Sequence, residues 1–165
     1  MTVYHGSAGE VKKPNISFSK NYLDFGKGFY TTAFKPQAEK WALRKADRTQ
    51  NGVATVNVFE LADNLSAYKV LTFESEDGDW LDFVCDCRKG NEIYKDYDII
   101  IGAVADDDVF KSVNMYFRGL WDKQRTLEEI RFYKKSNQIC ITNQEVLEKV
   151  LTFQSSYIVG AKSNG

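Results

Sequence analysis

Short apolar runs and helically spaced apolar stripes alternate along this chain, and glycine- or asparagine-containing turns separate them. Runs rich in β-branched and aromatic residues predict strands, whereas apolar residues three and four positions apart predict amphipathic helices. Strands are predicted near residues 3–5, 54–61, 69–73, 98–104, 137–141 and 150–159. Helices are predicted over residues 36–50, 80–87 and 109–120, from residue 126, and over 143–149. This mixture predicts an α+β fold.

The boundaries of these elements carry their own signals. Residues 98–104 form a continuous apolar run between acids, which is typical of a strand buried on both faces. The acidic segments 74–79 and 106–108 precede helices, so we interpret them as N-terminal caps and not as catalytic or magnesium-binding acids. Thr126 and Thr142 each precede a glutamate by three residues, which predicts capping boxes for the last two helices. Residues 11–23 are predicted to be a loop, with a turn or short strand near 16–18.

Composition and charge exclude some classes of function. The chain has 165 residues, a formal net charge of −1 and a pI near 5.9. This balance gives no basic footprint for duplex nucleic acid or an acidic membrane surface. We expect one domain over residues 1–160 and a disordered tail over 161–165. No basic-apolar leader or membrane-spanning window is present, so we expect a cytoplasmic protein, or one delivered into another cell without a classical signal peptide.

The residues that could bind a metal are few. The chain contains three cysteines and one histidine, and no Cys-x-x-Cys pair. These numbers and spacings do not fit the familiar zinc sites, so we expect reduced thiols and no metal.

Residues 24–32, Asp-Phe-Gly-Lys-Gly-Phe-Tyr-Thr-Thr, are the strongest candidate for a binding element. Gly26 and Gly28 can take positive φ and let a flat ligand approach the backbone. The two aromatic residues that follow them must point to opposite faces of a strand, so one can be core and one displayed. A plain turn followed by a strand has the same pattern.

His5 and Trp41 are two further candidates. His5 ends the first predicted strand beside a glycine, which suits a cleft, although a hydrogen-bonded structural histidine is the commoner case. Trp41 lies on the first predicted helix, where a core tryptophan is an equally good interpretation.

Three separated pieces of the chain resemble the motifs of one enzyme superfamily. They are Tyr4-His5-Gly6-Ser7, Phe25-Gly26-Lys27-Gly28-Phe29-Tyr30 and Asn137-Gln138-Ile139. In this order they resemble the motifs of ADP-ribosyltransferases of the diphtheria-toxin and poly(ADP-ribose) polymerase type. The second piece is specific, and in the third Gln138 stands where that superfamily has glutamate. The motifs of the arginine-type subclass are absent. Over residues 3–153 the chain also looks like an uncharacterised bacterial family placed within the superfamily.

The resemblance implies a fold and a set of site residues. The fold would be a split pair of antiparallel sheets surrounded by short helices, with NAD bound as co-substrate in the cleft between them and no metal. The implied catalytic residues are His5, Tyr30 and Gln138. The implied NAD-binding residues are His5, Gly6, Ser7, Gly28, Tyr30, Thr32 and Trp41.

The resemblance also implies what each group would do. Tyr30 and Trp41 would stack on the nicotinamide, and Gly6 would pair with its carboxamide. Many relatives place a serine where this chain has Ala38, so a further carboxamide bond would come from Ser7, from Thr32 or from no residue. His5 would bond the ribose on the adenosine side, and Gln138 a hydroxyl of the reacting ribose.

The implied activity is mono-ADP-ribosyl transfer to an unknown protein or nucleic-acid acceptor, with release of nicotinamide. Compact relatives favour a bacterial toxin or toxin–antitoxin component, with an antitoxin protein as a partner. Gln138 leaves a slow NAD glycohydrolase and an inactive NAD- or ADP-ribose-binding module as alternatives, since an amide cannot remove a proton. Glu128 or Glu145 could replace the missing acid, but nothing in their spacing recommends either. An RNA 2′-phosphotransferase is disfavoured by the overall charge.

Overall fold

A computed structural model describes residues 1–133 and 136–160. The strands are β1 (Thr2–Ser7), β2 (Phe29–Thr31), β3 (Thr55–Leu61), β4 (Val70–Thr72), β5 (Ile99–Ala103), β6 (Asn137–Ile141) and β7 (Leu151–Ile158). The helices are α1 (Lys35–Arg48), α2 (Gly78–Arg88), α3 (Asp107–Phe117), α4 (Lys123–Ile130) and α5 (Gln144–Val150). Two short 3-10 turns span Ile16–Phe18 and Ile93–Asp96. The α+β class is therefore confirmed, and each predicted strand and helix has a counterpart.

The strands form two separate sheets. One sheet has the order β1-β3-β7 and is antiparallel throughout. The other has the order β2-β6-β5-β4, in which β4 pairs with β5 in parallel. The expectation of purely antiparallel sheets is therefore wrong at this pair. The reason is that α2 connects β4 to β5, and a helical crossover returns the chain in the same direction.

Three apolar clusters hold the layers together. Between the two sheets, Phe29, Ile99 and Ile141 pack against Val3 and Phe59. On the other face of the β2-β6-β5-β4 sheet, α2 and α3 bury a second cluster around Phe25 and Trp80. Helix α1 covers the outer face of the β1-β3-β7 sheet, where Ala38 and Ala42 of the helix pack with Val56 of β3. Because β5 has apolar layers on both faces, the prediction of a doubly buried strand is confirmed.

The predicted capping boxes are wrong by a few residues. Helix α4 begins earlier than expected, because Asp122 caps it by accepting from the Arg125 N–H, while Thr126 lies buried inside the helix. Helix α5 is capped by Asn143, whose side chain accepts from the N–H groups of Glu145 and Val146. Aspartate and asparagine are at least as good as threonine at this position, so Asp122 and Asn143 take the role. The acidic caps of α2 and α3 are confirmed.

Four expectations from the sequence concern membrane spanning, metal binding, the cysteines and the C-terminal tail. Within the described residues, no helix is long and apolar enough to cross a bilayer. The same part of the chain contains no group of three histidine, cysteine or acidic side chains that could hold a metal ion. The three cysteines are unpaired and buried. The predicted tail at 161–165 lies outside the described residues.

Candidate functional site

Within the described residues, the two sheets meet at one main-chain bridge, between Tyr4 of β1 and Thr32 directly after β2. The Tyr4 N–H donates to the Thr32 carbonyl at 2.8 Å, and the Thr32 N–H donates to the Tyr4 carbonyl at 2.9 Å. The N–H and C=O groups of successive residues point to alternate sides of a strand. Those of Gly6 therefore point the same way as those of Tyr4, and those of Tyr30 point the same way as those of Thr32. We call the space between β1 and β2 beyond this bridge, bordered by Gly6 and Tyr30, the strand gap.

His5 crosses the strand gap. Its Nδ1 lies 2.6 Å from the Tyr30 carbonyl, and its ring stacks on Phe29 at a centroid distance of 4.1 Å. A carbonyl only accepts, so Nδ1 carries the proton and Nε2 presents a lone pair. Burial and then the charge of Lys45 lower the pKa of His5 to about 3, so the ring is neutral at pH 7. Among the described residues Nε2 has no hydrogen-bond partner, and it is not sealed from solvent.

Helix α1 forms one wall of the strand gap because Gly6 lets it approach β1 closely. A Cβ at Gly6 would lie 2.1 Å from the Ala38 carbonyl oxygen and 3.0 Å from the Trp41 Cβ. Trp41, which is half-buried, therefore lies beside Gly6. Glycine at this position is required by packing between a strand and a helix.

Lys45 follows Trp41 by one helical turn, so both side chains share one face of α1. Its ammonium donates to the Gly6 carbonyl at 2.8 Å. Desolvation and then nearby Lys20 lower the pKa of Lys45 to about 8, although the side chain remains exposed. Within the described part of the chain, no carboxylate forms an ion pair with Lys45 or Lys20.

Tyr30 is fixed by its own loop. Its hydroxyl donates to the Gly26 carbonyl at 2.6 Å and accepts from the Phe25 N–H at 3.0 Å. Burial, with smaller contributions from Cys140 and Asp24, raises the pKa of Tyr30 well above its ordinary value. The hydroxyl is therefore structural, and only the half-buried ring can contact a ligand. In the described residues the rings of Tyr30 and Trp41 make no contact with each other.

Gln138 lies beside Tyr30 on the same face of its sheet. Tyr30 pairs with Cys140 in the register of β2 and β6, so Gln138 is its diagonal neighbour. Gln138 is 3% exposed, and its Nε2 donates to Asp24 Oδ2 at 3.0 Å and to the Ala103 carbonyl at 3.3 Å. Both partners only accept, so the amide has one orientation and its Oε1 is the acceptor that remains. That oxygen has no partner among the described residues and is not sealed in.

Three other residues with an implied NAD-binding role have structural partners. The Ser7 hydroxyl donates to the Gly9 carbonyl, and the Thr32 hydroxyl donates to the Asn137 carbonyl at 2.8 Å. Gly28 packs against β6, where a Cβ would lie 2.5 Å from the Cys140 sulfur. Gly26 has the expected positive φ of 76°, but Gly28 does not share that conformation. Neither the Ser7 hydroxyl proton nor the Thr32 hydroxyl proton is therefore free to donate to a ligand carboxamide.

Comparison with known proteins gives a family. Residues 1–153 match the family described as "Protein of unknown function (DUF3990)". The chain belongs to the DUF3990 family. No protein with a curated description matches it.

The strand gap of this DUF3990 chain thus brings together His5, Gly6, Tyr30 and Trp41, with Gln138 beside Tyr30. The gap itself is bordered by the unpartnered His5 Nε2, the half-buried Trp41 and the Lys45 ammonium, whereas the Tyr30 ring packs on the other face of its sheet, with Gln138 beside it, against the cluster around Phe25 and Trp80. A separate cavity of about 520 Å³ between β4 and α2 is lined by none of these residues. The arrangement therefore suits a flat ring joined to a hydroxyl-bearing, anionic group.

Two contributors to the site were not assigned from sequence. Lys45 could have been found, because its spacing from Trp41 puts both on one helix face. Asp24 stands directly before the glycine-rich segment, but nothing in the local pattern shows that its carboxylate is 7% exposed and bonded to a residue 114 positions away.

Proposed function

We propose that this chain is an NAD-dependent mono-ADP-ribosyltransferase that binds NAD in the strand gap and releases nicotinamide. The observation that carries the proposal is the convergence of the His5 ring, Gly6, the Tyr30 carbonyl and Trp41 on that gap. These residues come from two of the three pieces that resemble the motifs of the ADP-ribosyltransferase superfamily and from the helix after the second piece. The α+β fold of two separate sheets is compatible with that superfamily.

Each part of NAD has a chemical match in the strand gap. The flat nicotinamide fits the half-buried rings of Tyr30 and Trp41, and its carboxamide oxygen can accept from the Gly6 N–H. The ribose hydroxyls can donate to His5 Nε2 and Gln138 Oε1. Lys45 and Lys20 supply positive charge for the diphosphate.

The chemistry required is cleavage of the bond between nicotinamide and ribose. Positive charge develops on the ribose as that bond breaks, as in glycoside cleavage generally. The Gln138 carbonyl dipole can stabilise that charge if its oxygen faces the ribose, although less strongly than a carboxylate. Neither neutral His5 nor Gln138 is a strong base, so the acceptor must bring its own activation.

A second candidate function is NAD glycohydrolysis or NAD binding without chemistry. The specific observation that favours it is Gln138, whose amide oxygen is a weaker electrostatic partner than a carboxylate and cannot accept a proton from an acceptor. Both candidates use the same strand gap, so they differ only in the fate of NAD once it is bound.

The test is nicotinamide release from NAD by the purified chain, with and without cell extract and with NAD labelled in the adenosine half. His5→Asn is the sharpest variant, because asparagine keeps a donor near the Tyr30 carbonyl and removes the Nε2 lone pair. Trp41→Leu removes one stacking ring, and Trp121→Leu is its control. Trp121 is also half-buried, but it packs under Arg125 in the region of α4.

Transferase activity predicts nicotinamide release together with label fixed on an extract component. Label only in free ADP-ribose would support the glycohydrolase, and binding without release would support the module. We expect Trp41→Leu to raise the KM for NAD about fivefold or more and Trp121→Leu to leave it unchanged. A wild-type chain that neither binds nor cleaves NAD would contradict both candidates.

The biological setting is part of the proposal. A toxin or a toxin–antitoxin component would arrest growth of a bacterial host when its expression is induced. His5→Asn, expressed to the same level, is expected to permit growth. Equal growth with wild type and variant would argue against the toxin role and leave the binding site untouched.

A further inference from the structure

Asp24 is a buried acid, and its hydrogen bonds connect several segments of the chain to Gln138. Its Oδ1 accepts from the Arg88 Nε at 3.0 Å and also from the Arg88 Nη2. Its Oδ2 accepts from the Ala105 N–H at 2.9 Å and from the Gln138 Nε2 at 3.0 Å. One carboxylate thus joins the loop before β2, the C-terminal end of α2, the segment after β5 and the start of β6.

These contacts fix the direction of the Gln138 amide. A glutamine side chain without such partners can rotate and exchange its oxygen and nitrogen. Here Asp24 and the Ala103 carbonyl both require a donor, so they hold the nitrogen and leave Oε1 as the free atom. A charged acceptor on the nitrogen also polarises the amide, which places more negative charge on its oxygen.

We propose that Asp24 is a positioning residue that holds Gln138 Oε1 toward the reacting ribose and strengthens it as an acceptor. The inference rests on the proposed function. It also accounts for the glutamine in the third motif. The negative charge is on Asp24, and it acts on the ribose by polarising the Gln138 amide.

The same geometry argues against glutamate at position 138. The substitution Gln138→Glu would put a carboxylate oxygen in the place of an amide nitrogen that now lies 3.0 Å from Asp24 Oδ2. Two carboxylates at that distance cannot both ionise without strong repulsion, so Gln138→Glu is expected to lose stability and activity together. The exchange variant Asp24→Asn/Gln138→Glu moves the charge to position 138 and removes one of the two carboxylates. However, an amide NH2 at position 24 that points at position 138 also faces the Ala105 N–H, and a carboxylate oxygen at position 138 faces the Ala103 carbonyl, so only partial recovery is expected.

The experiment measures kcat and KM for NAD and the midpoint of urea unfolding for wild type, both single variants and the exchange variant. Thr126→Val is the stability control. Thr126 is fully buried in α4 and its hydroxyl donates to the Asp122 carbonyl at 2.8 Å, away from the site. We expect Asp24→Asn to lower kcat about tenfold and change KM less than about twofold. Thr126→Val should lower the unfolding midpoint and leave kcat unchanged.

The exchange variant distinguishes positioning from simple structural support. We expect its kcat and unfolding midpoint to exceed those of Gln138→Glu, because two carboxylates no longer face each other. Should Asp24→Asn fail to fold, Gln138→Met decides instead, because it removes the Oε1 acceptor at similar size: a loss of kcat with little change in KM upholds the inference, and full kcat overturns it. A wild type that releases nicotinamide while Asp24→Asn keeps full kcat would overturn the inference and leave the proposed function. A wild type without release would overturn both.

Discussion

At the scale of residues, one carbonyl determines what His5 can do. The sequence placed His5 on the first strand beside Gly6, but the Tyr30 carbonyl that selects its tautomer belongs to another strand and another sheet. The contact follows from the meeting of β1 and β2, which no local pattern encodes. The same is true of Gln138, whose orientation depends on Asp24 and Ala103.

His5 is expected to stay neutral far below the usual pKa of a histidine. Because it is the sole histidine, its imidazole signals in an NMR titration need no assignment. We expect no protonation between pH 8 and pH 4.5, and nitrogen shifts typical of the Nδ1–H tautomer. A midpoint near the ordinary pKa of 6.5 would contradict the burial and hydrogen bonding described here.

The lowered pKa of His5 also predicts a pH dependence of stability. Between pH 6.5 and about pH 3, the unfolded chain binds a proton at residue 5 that the folded chain does not. The free energy of unfolding therefore falls as pH falls, by at most about 1.4 kcal/mol per pH unit from this group. His5→Asn removes that component, so urea unfolding at pH 6.5 and pH 5 should show a shallower dependence in the variant. Equal slopes would refute the prediction.

Gly6→Ala tests the contact between α1 and β1. The added methyl group would lie 2.1 Å from the Ala38 carbonyl oxygen and 2.6 Å from the Ala42 nitrogen, both of which are backbone atoms. Since backbone cannot move aside like a side chain, we expect a loss of about 3 kcal/mol in urea unfolding. Gly9→Ala is the control, because nothing lies within 4 Å of its added methyl group. Similar stability of the two variants would mean that α1 does not pack as described.

At the scale of elements, α1 brings two functional side chains to the strand gap from one helix face. The sequence predicted this helix, with Pro36 in its first turn and its end before Asn51, because both signals are local. The packing of α1 against β1 depends on the glycine at position 6, which lies outside the pattern of the helix. The parallel pairing of β4 with β5 was missed for the same reason, since a strand's partner lies outside its own pattern. The caps of α4 and α5 were misplaced because Asp122 and Asn143 are also good capping residues and begin these helices instead.

Lys45→Gln tests whether α1 contributes to anion binding. We expect this variant to weaken NAD binding about fivefold or more at low salt, with less effect at high salt, where the charge is screened. Lys40→Gln is the control, because Lys40 is exposed on the same helix about 140° around the axis. Binding to wild type should also weaken as pH rises through about 8, where Lys45 loses its proton. Equal effects of the two variants, measured by calorimetry, would exclude a role for Lys45.

At the scale of the whole molecule, the strand gap lies where two separately packed sheets meet at the Tyr4–Thr32 bridge. Each sheet has its own apolar layer on its outer face, and a third apolar layer, which contains Phe29, lies between the two sheets. A ligand that contacts both β1 and β6 would therefore link the two sheets. The α+β class was predictable from the alternating patterns, but the opening between the sheets depends on where pairing stops.

Ligand binding at such a junction should stabilise the folded chain. At an NAD concentration one hundred times the Kd, the expected gain is about 2.7 kcal/mol. For a domain of this size that corresponds to a rise in Tm of roughly 5–11 °C. Differential scanning fluorimetry with NAD checks this, and adenine at the same concentration is the control ligand. A Tm that does not respond to millimolar NAD would contradict binding in the strand gap.

The most direct measurement of the central claim is an NAD titration followed at the imidazole nitrogens of His5. If NAD occupies the strand gap, the Nε2 resonance should move saturably as a ribose hydroxyl donates to it, while the Nδ1 resonance changes little because the Tyr30 carbonyl holds that proton. Trp41→Leu should shift the curve to higher NAD concentrations, and Trp121→Leu should not. No movement of either nitrogen up to millimolar NAD would contradict the account.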